Sequence, residues 1–193
     1  MDKWKNILDE DVLKRNVLFA ALFVMNFECL KDYVITQVRG FFEAPFIEDG
    51  ELEYKILEKY KVEVLGLDKN IENASLKWFI NSGAISEEDY KLYQKIRNRR
   101  NEITHKLLLN LSNGFSNSDI TLFSDLITLY QKIDKWWINE IEIPISYNDL
   151  PENYDSKAVL GGQALVISII NDIVLGEGGN KYKEFLDEML KTK

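Results

Sequence analysis

From Asp11 to Phe42 the chain runs without a proline, and its apolar stripe includes Leu18, Leu22, Met25, Cys29 and Val38 at the helical period. Three prolines and ten glycines in 193 residues leave few breakers elsewhere, so long periodic runs read as helices. Gly40 and the stretch FEAPFIEDG close the first run, and Pro45 disfavours helix at Ala44. Residues 43–69 predict a short helix running into an irregular link. The alternation in KVEVLGL also permits a strand there, which would not be stable by itself.

Five more helices follow from the same logic. NIENASLKWFINSG gives about three turns, closed by Gly83. SEEDYKLYQKIRNRRNEITHKLLLNLSNG gives a long helix with Ser86 as N-cap and Asp89 in a capping-box position, ended by Ser112, Asn113 and Gly114. Another starts at Ser118 or Asp119 and runs to about Ile141. SYNDLPENYDS connects it to helices at about 157–175 and 181–191, which GEGGN separates. The expectation is an all-α, antiparallel bundle of about five to seven helices, spanning residues 1–193 as a single domain.

Net charge is −8, which argues against a general binder of polyanions. The total conceals an asymmetry. Between Tyr90 and Lys106 stand six cations, Lys91, Lys95, Arg97, Arg99, Arg100 and Lys106, against the single acid Glu102. One basic segment on an acidic body is a local docking site. A single cysteine, Cys29, excludes an internal disulfide and points to a reducing compartment; one cysteine and one histidine exclude a Cys/His zinc site. The N-terminal MDKWKNILDEDVLKR carries acids where a signal peptide needs cations, and the apolar stretch 158–175 is interrupted by Gln163, Ser168, Asn171 and Asp172. A cytoplasmic protein with no membrane association is expected.

The basic segment KIRNRRNEITH contains a violation of pattern. Tyr93, Ile96, Ile103 and Leu107 form the apolar line of its helix, and the position between Ile96 and Ile103 is Arg100. A guanidinium at a core position needs a partner, a wet cleft or a ligand. Gln94, Asn98, Asn101 and His105 make a second, polar line, with Arg97 above Asn101 and His105. Arg100 and the unique histidine, His105, are roughly 140° apart around the helix and roughly 7.5 Å apart along it. Imidazole carries protons near neutral pH, guanidinium forms a rigid fork for phosphate, and an amide such as Asn101 positions either one. The set suits metal-free cleavage of a phosphodiester, with an RNA 2′-hydroxyl as internal nucleophile.

RNEITH, Arg100 to His105, resembles the R-x4-6-H signature of the HEPN superfamily, in the form R-N-x-x-x-H, on a long helix preceded by YKLYQKIRNR. The resemblance implies a small helical bundle that dimerises, and a metal-independent endoribonuclease of toxin–antitoxin or antiphage systems that needs no cofactor. It implies Arg100 and His105 as the catalytic pair, with Asn101 beside them at a groove shared by two subunits. Arg97, Arg99, Lys95 and Lys106 are then RNA or phosphate contacts. Expected partners are RNA, a second copy, and a cognate antitoxin such as a nucleotidyltransferase. The competing expectation is a non-catalytic HEPN module that binds nucleotide, RNA or another defence protein; a solvated basic face pairing with acidic neighbours is the plainest reading of all. Two further features carry less. Asp149, Glu152 and Asp155 share a loop whose spacing matches no calcium loop, and of the adjacent Trp136 and Trp137 one is expected in the core.

Overall fold

A computed structural model describes residues 2–146, 150, 152 and 154–176. The predicted helix at 181–191, residues 177–180 of the GEGGN turn, and Asp149 lie outside the described residues. Helix α1 spans Asp2–Leu8, and the long helix α2 spans Glu10–Phe41, capped by the Asp9 carboxylate on the Val12 N–H. A two-stranded sheet follows, β1 Glu43–Glu48 and β2 Glu51–Ile56. Next come a short helix α3, Glu58–Tyr60, a π-helical turn Lys61–Leu65, and α4, Ile71–Asn81. Helices α5 (Glu87–His105), α6 (Leu107–Asn113) and α7 (Asn117–Trp137) complete the middle of the chain. A π-helical turn Ile138–Glu142, the short α8, Ile143–Ser146, and α9, Gly162–Leu175, end it. The fold is predominantly helical, as the sequence predicts. No helix among the described residues is long and apolar enough to cross a membrane.

Helix α2 is the axis of the bundle. Phe23, Phe27, Leu30, Val34 and Val38 lie on its buried side and meet α4, α5, α7 and α9. Tyr93, Ile96 and Ile103 of α5 are fully buried beside it, as are Leu126, Leu129 and Ile133 of α7 to within a few per cent. Trp137 is in the core and Trp136 partly so; both rings stand against Trp78 and Phe79.

Three expectations need correction. The segment after Phe42 is a β-hairpin, not a helix. Asp49 and Gly50 both have positive φ, 51° and 85°, the signature of a two-residue type I′ turn, which matches strand twist. Alternation of Leu52, Tyr54 and Ile56 with Glu51, Glu53 and Lys55 then has a strand's period, and the residues that permitted a strand, KVEVL, are the π-helical turn. Second, the long helix from Ser86 does not continue to Leu111. Lys106, at φ −122° and ψ 37°, interrupts it directly after His105, so Leu107 leaves the apolar line and is exposed. Third, the last described helix starts at Gly162. The N–H of Gly161, its N-cap, donates to the buried Asp134 carboxylate at 2.7 Å, which fixes α9 to α7.

Candidate functional site

The capping box on α5 is complete. The Ser86 hydroxyl accepts from the Asp89 N–H at 3.2 Å and the Asp89 carboxylate accepts from the Ser86 N–H at 2.8 Å. Burial pushes the Asp89 carboxyl up, but Lys132 and Ser86 more than reverse this and hold it below the usual range. Helix α5 is thereby fixed at its start, and Tyr93, Ile96 and Ile103 fix its roll against α2.

That roll turns Arg100 toward α2. Its guanidinium donates to Glu28 and, at 2.8 Å, to Oδ1 of Asn101, and stands 5.6 Å from the centre of the Phe27 ring. Its Nε is buried and bonds to no described residue. Glu28 also holds Lys31. One turn earlier, Arg97 donates to Asn73 of α4 at 3.1 Å and lies 3.6 Å from the Glu72 carboxylate; Gln94 donates to the same Asn73 oxygen at 3.2 Å. Burial, and then the Glu72 carboxylate, push the nearby Tyr93 phenol upward.

These side chains line a polar groove of about 460 Å³ between α2, α4 and α5, bounded by Phe27, Lys31, Asn70, Glu72, Asn73, Arg97, Asn98, Arg100 and Asn101. Three cations, four asparagine amides and one carboxylate, Glu72, face one space, a net positive lining. The N-cap of α4, Asn70, opens onto it, so the positive end of that helix dipole is there too. Such a lining can hold an anion with flanking hydrogen-bonding groups.

The other singled-out residues fall elsewhere. Arg99 turns to the opposite side, donating to Asp119 of α7 at 2.6 Å and to Glu102 at 3.2 Å, with the Phe115 ring beneath it. Burial pushes the Asp119 carboxyl up, but bonds from Arg99 and Ser116 and the Arg99 charge outweigh this and hold it low. Lys95 and Lys106 are exposed. His105 is exposed at the last residue of α5, its imidazole makes no hydrogen bond with a described residue, and it does not line the Arg100 groove.

Beside His105 is a second groove, apolar, of about 340 Å³. Val17, Ala20, Ala21 and Val24 of α2 form one wall; Ile103, Thr104, Leu107 and Leu111 form the other. Leu108 next to it is 80% exposed. Among the described residues no cluster of three or more His, Cys, Asp or Glu side chains is arranged to hold a metal ion. Of the loop acids, Glu152 is exposed and Asp155 accepts the Lys157 N–H, a local turn.

The sequence reading missed Glu28, Lys31 and the α4 amides Asn70 and Asn73. One signal was present: Glu28 is the only acid between Asp11 and Asp32, set in an apolar run. The α4 contribution depends on tertiary packing and had no local signal. No family model, curated protein or solved structure matches the chain.

Proposed function

We propose that the chain is a metal-independent endoribonuclease of HEPN type, acting as a dimer in a toxin–antitoxin or antiphage system. The observation that carries this reading is Arg100. A guanidinium stands on the apolar line of α5 with its Nε unbonded, opening on a groove of cations and amides. A solvated basic face does not require that placement.

Within one chain His105 does not reach that groove, so the reading needs a second copy. The apolar groove beside His105 supplies the surface on which two copies meet, bringing each His105 toward the Arg100 groove opposite. One His105 takes the proton of the RNA 2′-hydroxyl as the 2′-oxygen attacks phosphorus. The P–O5′ bond breaks, the leaving 5′-oxygen takes a proton from water, and a cyclic phosphate remains. Arg100 stabilises charge on the five-coordinate phosphorus, and Asn101 holds Arg100 in place. Arg97 lies along the same groove as a phosphate contact; Arg99, Lys95 and Lys106 are contacts for strands passing outside it.

A second reading is favoured by one contact. Glu28 already neutralises Arg100, which suits a non-catalytic module that binds nucleotide, RNA or a partner such as a nucleotidyltransferase antitoxin. Incubation of purified protein with total RNA in EDTA separates the two, with His105→Ala and Arg100→Ala alongside. Cleavage by wild type alone, leaving cyclic phosphate ends, is expected. RNA left equally intact by wild type and His105→Ala refutes the enzyme reading.

A further inference from the structure

The hairpin stands apart from the bundle. Every residue of β2 is exposed, and among the described residues the strand pairs only with β1. Residues paired across the two strands point to one face, so Pro45, Ile47, Leu52, Tyr54 and Ile56 share a side. Ile47 is 77% exposed, and Leu52 and Tyr54 are each 62% exposed. An isolated two-stranded hairpin with its apolar face in water is marginal in stability; three or more strands are the usual requirement.

The two edges differ. Leu57 donates its N–H to the Phe42 carbonyl at 2.9 Å. Antiparallel bonds alternate, so Glu51, Glu53 and Lys55 direct their backbone groups to β1, while Leu52, Tyr54 and Ile56 direct theirs outward. On the opposite edge the outward position facing Tyr54 is Pro45, which has no N–H to offer. A proline there blocks strand addition to β1. The β2 edge carries no such block.

The sequence of that open edge, Leu52-Glu53-Tyr54-Lys55-Ile56, complements itself when reversed. We infer that β2 pairs antiparallel with β2 of a second copy about a two-fold axis at Tyr54, giving a four-stranded sheet. In that register Glu53 stands opposite Lys55 of the second copy, and Lys55 opposite its Glu53. Leu52 meets the other Ile56, and the two Tyr54 rings meet at the axis. The outward backbone groups of Leu52, Tyr54 and Ile56 face one another and each exchanges its bonds. A register centred one residue earlier would set Glu53 against Glu53, a like-charge pair that disfavours it. This contact uses neither the Arg100 groove nor the apolar groove beside His105, and stands independently of the ribonuclease reading.

Amide hydrogen exchange tests it residue by residue. In the full chain at high concentration, the amides of Leu52, Tyr54 and Ile56 should exchange at least about tenfold more slowly than on dilution. Glu53 and Lys55, bonded to β1, are protected at both concentrations and report that the hairpin is formed. Lys55→Glu alone and Glu53→Lys alone each set like charges opposite and should lose the concentration-dependent protection. Mixing these two variants should restore it, as should the double exchange Glu53→Lys with Lys55→Glu in one chain. Free exchange of the three outward amides at all concentrations overturns the inference. So does undiminished protection in Lys55→Glu, or absence of protection at Glu53 and Lys55 in the wild type.

Discussion

Arg100→Met is expected to make the protein more stable while removing its function. Arg100 sits between the fully buried Ile96 and Ile103, yet its side chain is 24% exposed, and its buried Nε has no partner among the described residues. Removing an unsatisfied buried donor is worth about 1–3 kcal/mol. Against this, the substitution loses the stacking on Phe27, about 0.5–1 kcal/mol, and the pair with Glu28, at most about 1 kcal/mol because both groups touch water. Glu28 keeps Lys31 as a partner, so no carboxylate is stranded. Methionine has the length to fill the space apolarly. The balance is a gain of about 1 kcal/mol, in keeping with replacement of partly buried ion pairs by packed apolar residues. With a urea slope of about 2 kcal/mol per molar, the unfolding midpoint should rise by about 0.5 M. A fall of that size or more would show that Arg100 holds α5 to α2, and its place on the apolar line would then need no functional explanation. RNA cleavage measured on the same preparation should be lost.

Two other outcomes follow from particular contacts. A Cβ on Gly161 would lie 2.5 Å from the Asp134 Oδ1, while the backbone there, at φ −67°, accepts any residue. Gly161→Ala should therefore cost about 1–3 kcal/mol by crowding alone, and thermal unfolding should find most of that cost absent in an Asp134→Ala background; strict additivity would contradict it. Asp119 has its folded pKa lowered, so it adds stability above its unfolded pKa, about 3.9, and loses it as pH falls through the folded value. Asp119→Asn should cost about 1 kcal/mol near pH 7. Urea midpoints should converge with wild type as the pH is lowered below about 4, and a constant difference across that range would refute the assignment.

The parts of the fold that were legible in the chain are those decided locally. Ser86 and Asp89 form the capping box that their spacing announces, and Tyr93, Ile96 and Ile103 are buried as their period requires. The hairpin was also written locally, in Asp49-Gly50 and the alternation after it, but Leu52, Tyr54 and Ile56 are apolar without being buried, so they imitate half of a helical stripe. The break at Lys106 had no comparable marker, since Leu107, Leu108 and Leu109 are good helix formers. For the candidate site, the anomaly of Arg100 was readable, whereas its partner was not. Glu28 lies 72 residues away, and only the packing of α5 on α2 brings the two together. Arg99, the residue before Arg100, is separated from it by one step of helical rotation that sends it to α7.

The interruption after His105 bears on how the molecule comes apart. Seven residues of α6 are too few to stay helical alone, and across the broken ladder α5 reaches them through the Asn110 amide, which donates to the Glu102 carbonyl at 3.1 Å. Two more asparagine amides hold the end of α6: Asn6 of α1 donates to the Ser112 carbonyl at 2.9 Å, and Asn16 of α2 to the Leu111 carbonyl at 3.1 Å. Helices α1 and α6 thus pack on each other as one small unit, joined by the Asn6 bond and tied to α2 by the Asn16 bond. Opening of this unit should cost less than global unfolding and release Lys106–Asn113 while α7, Arg100 and its groove keep their places.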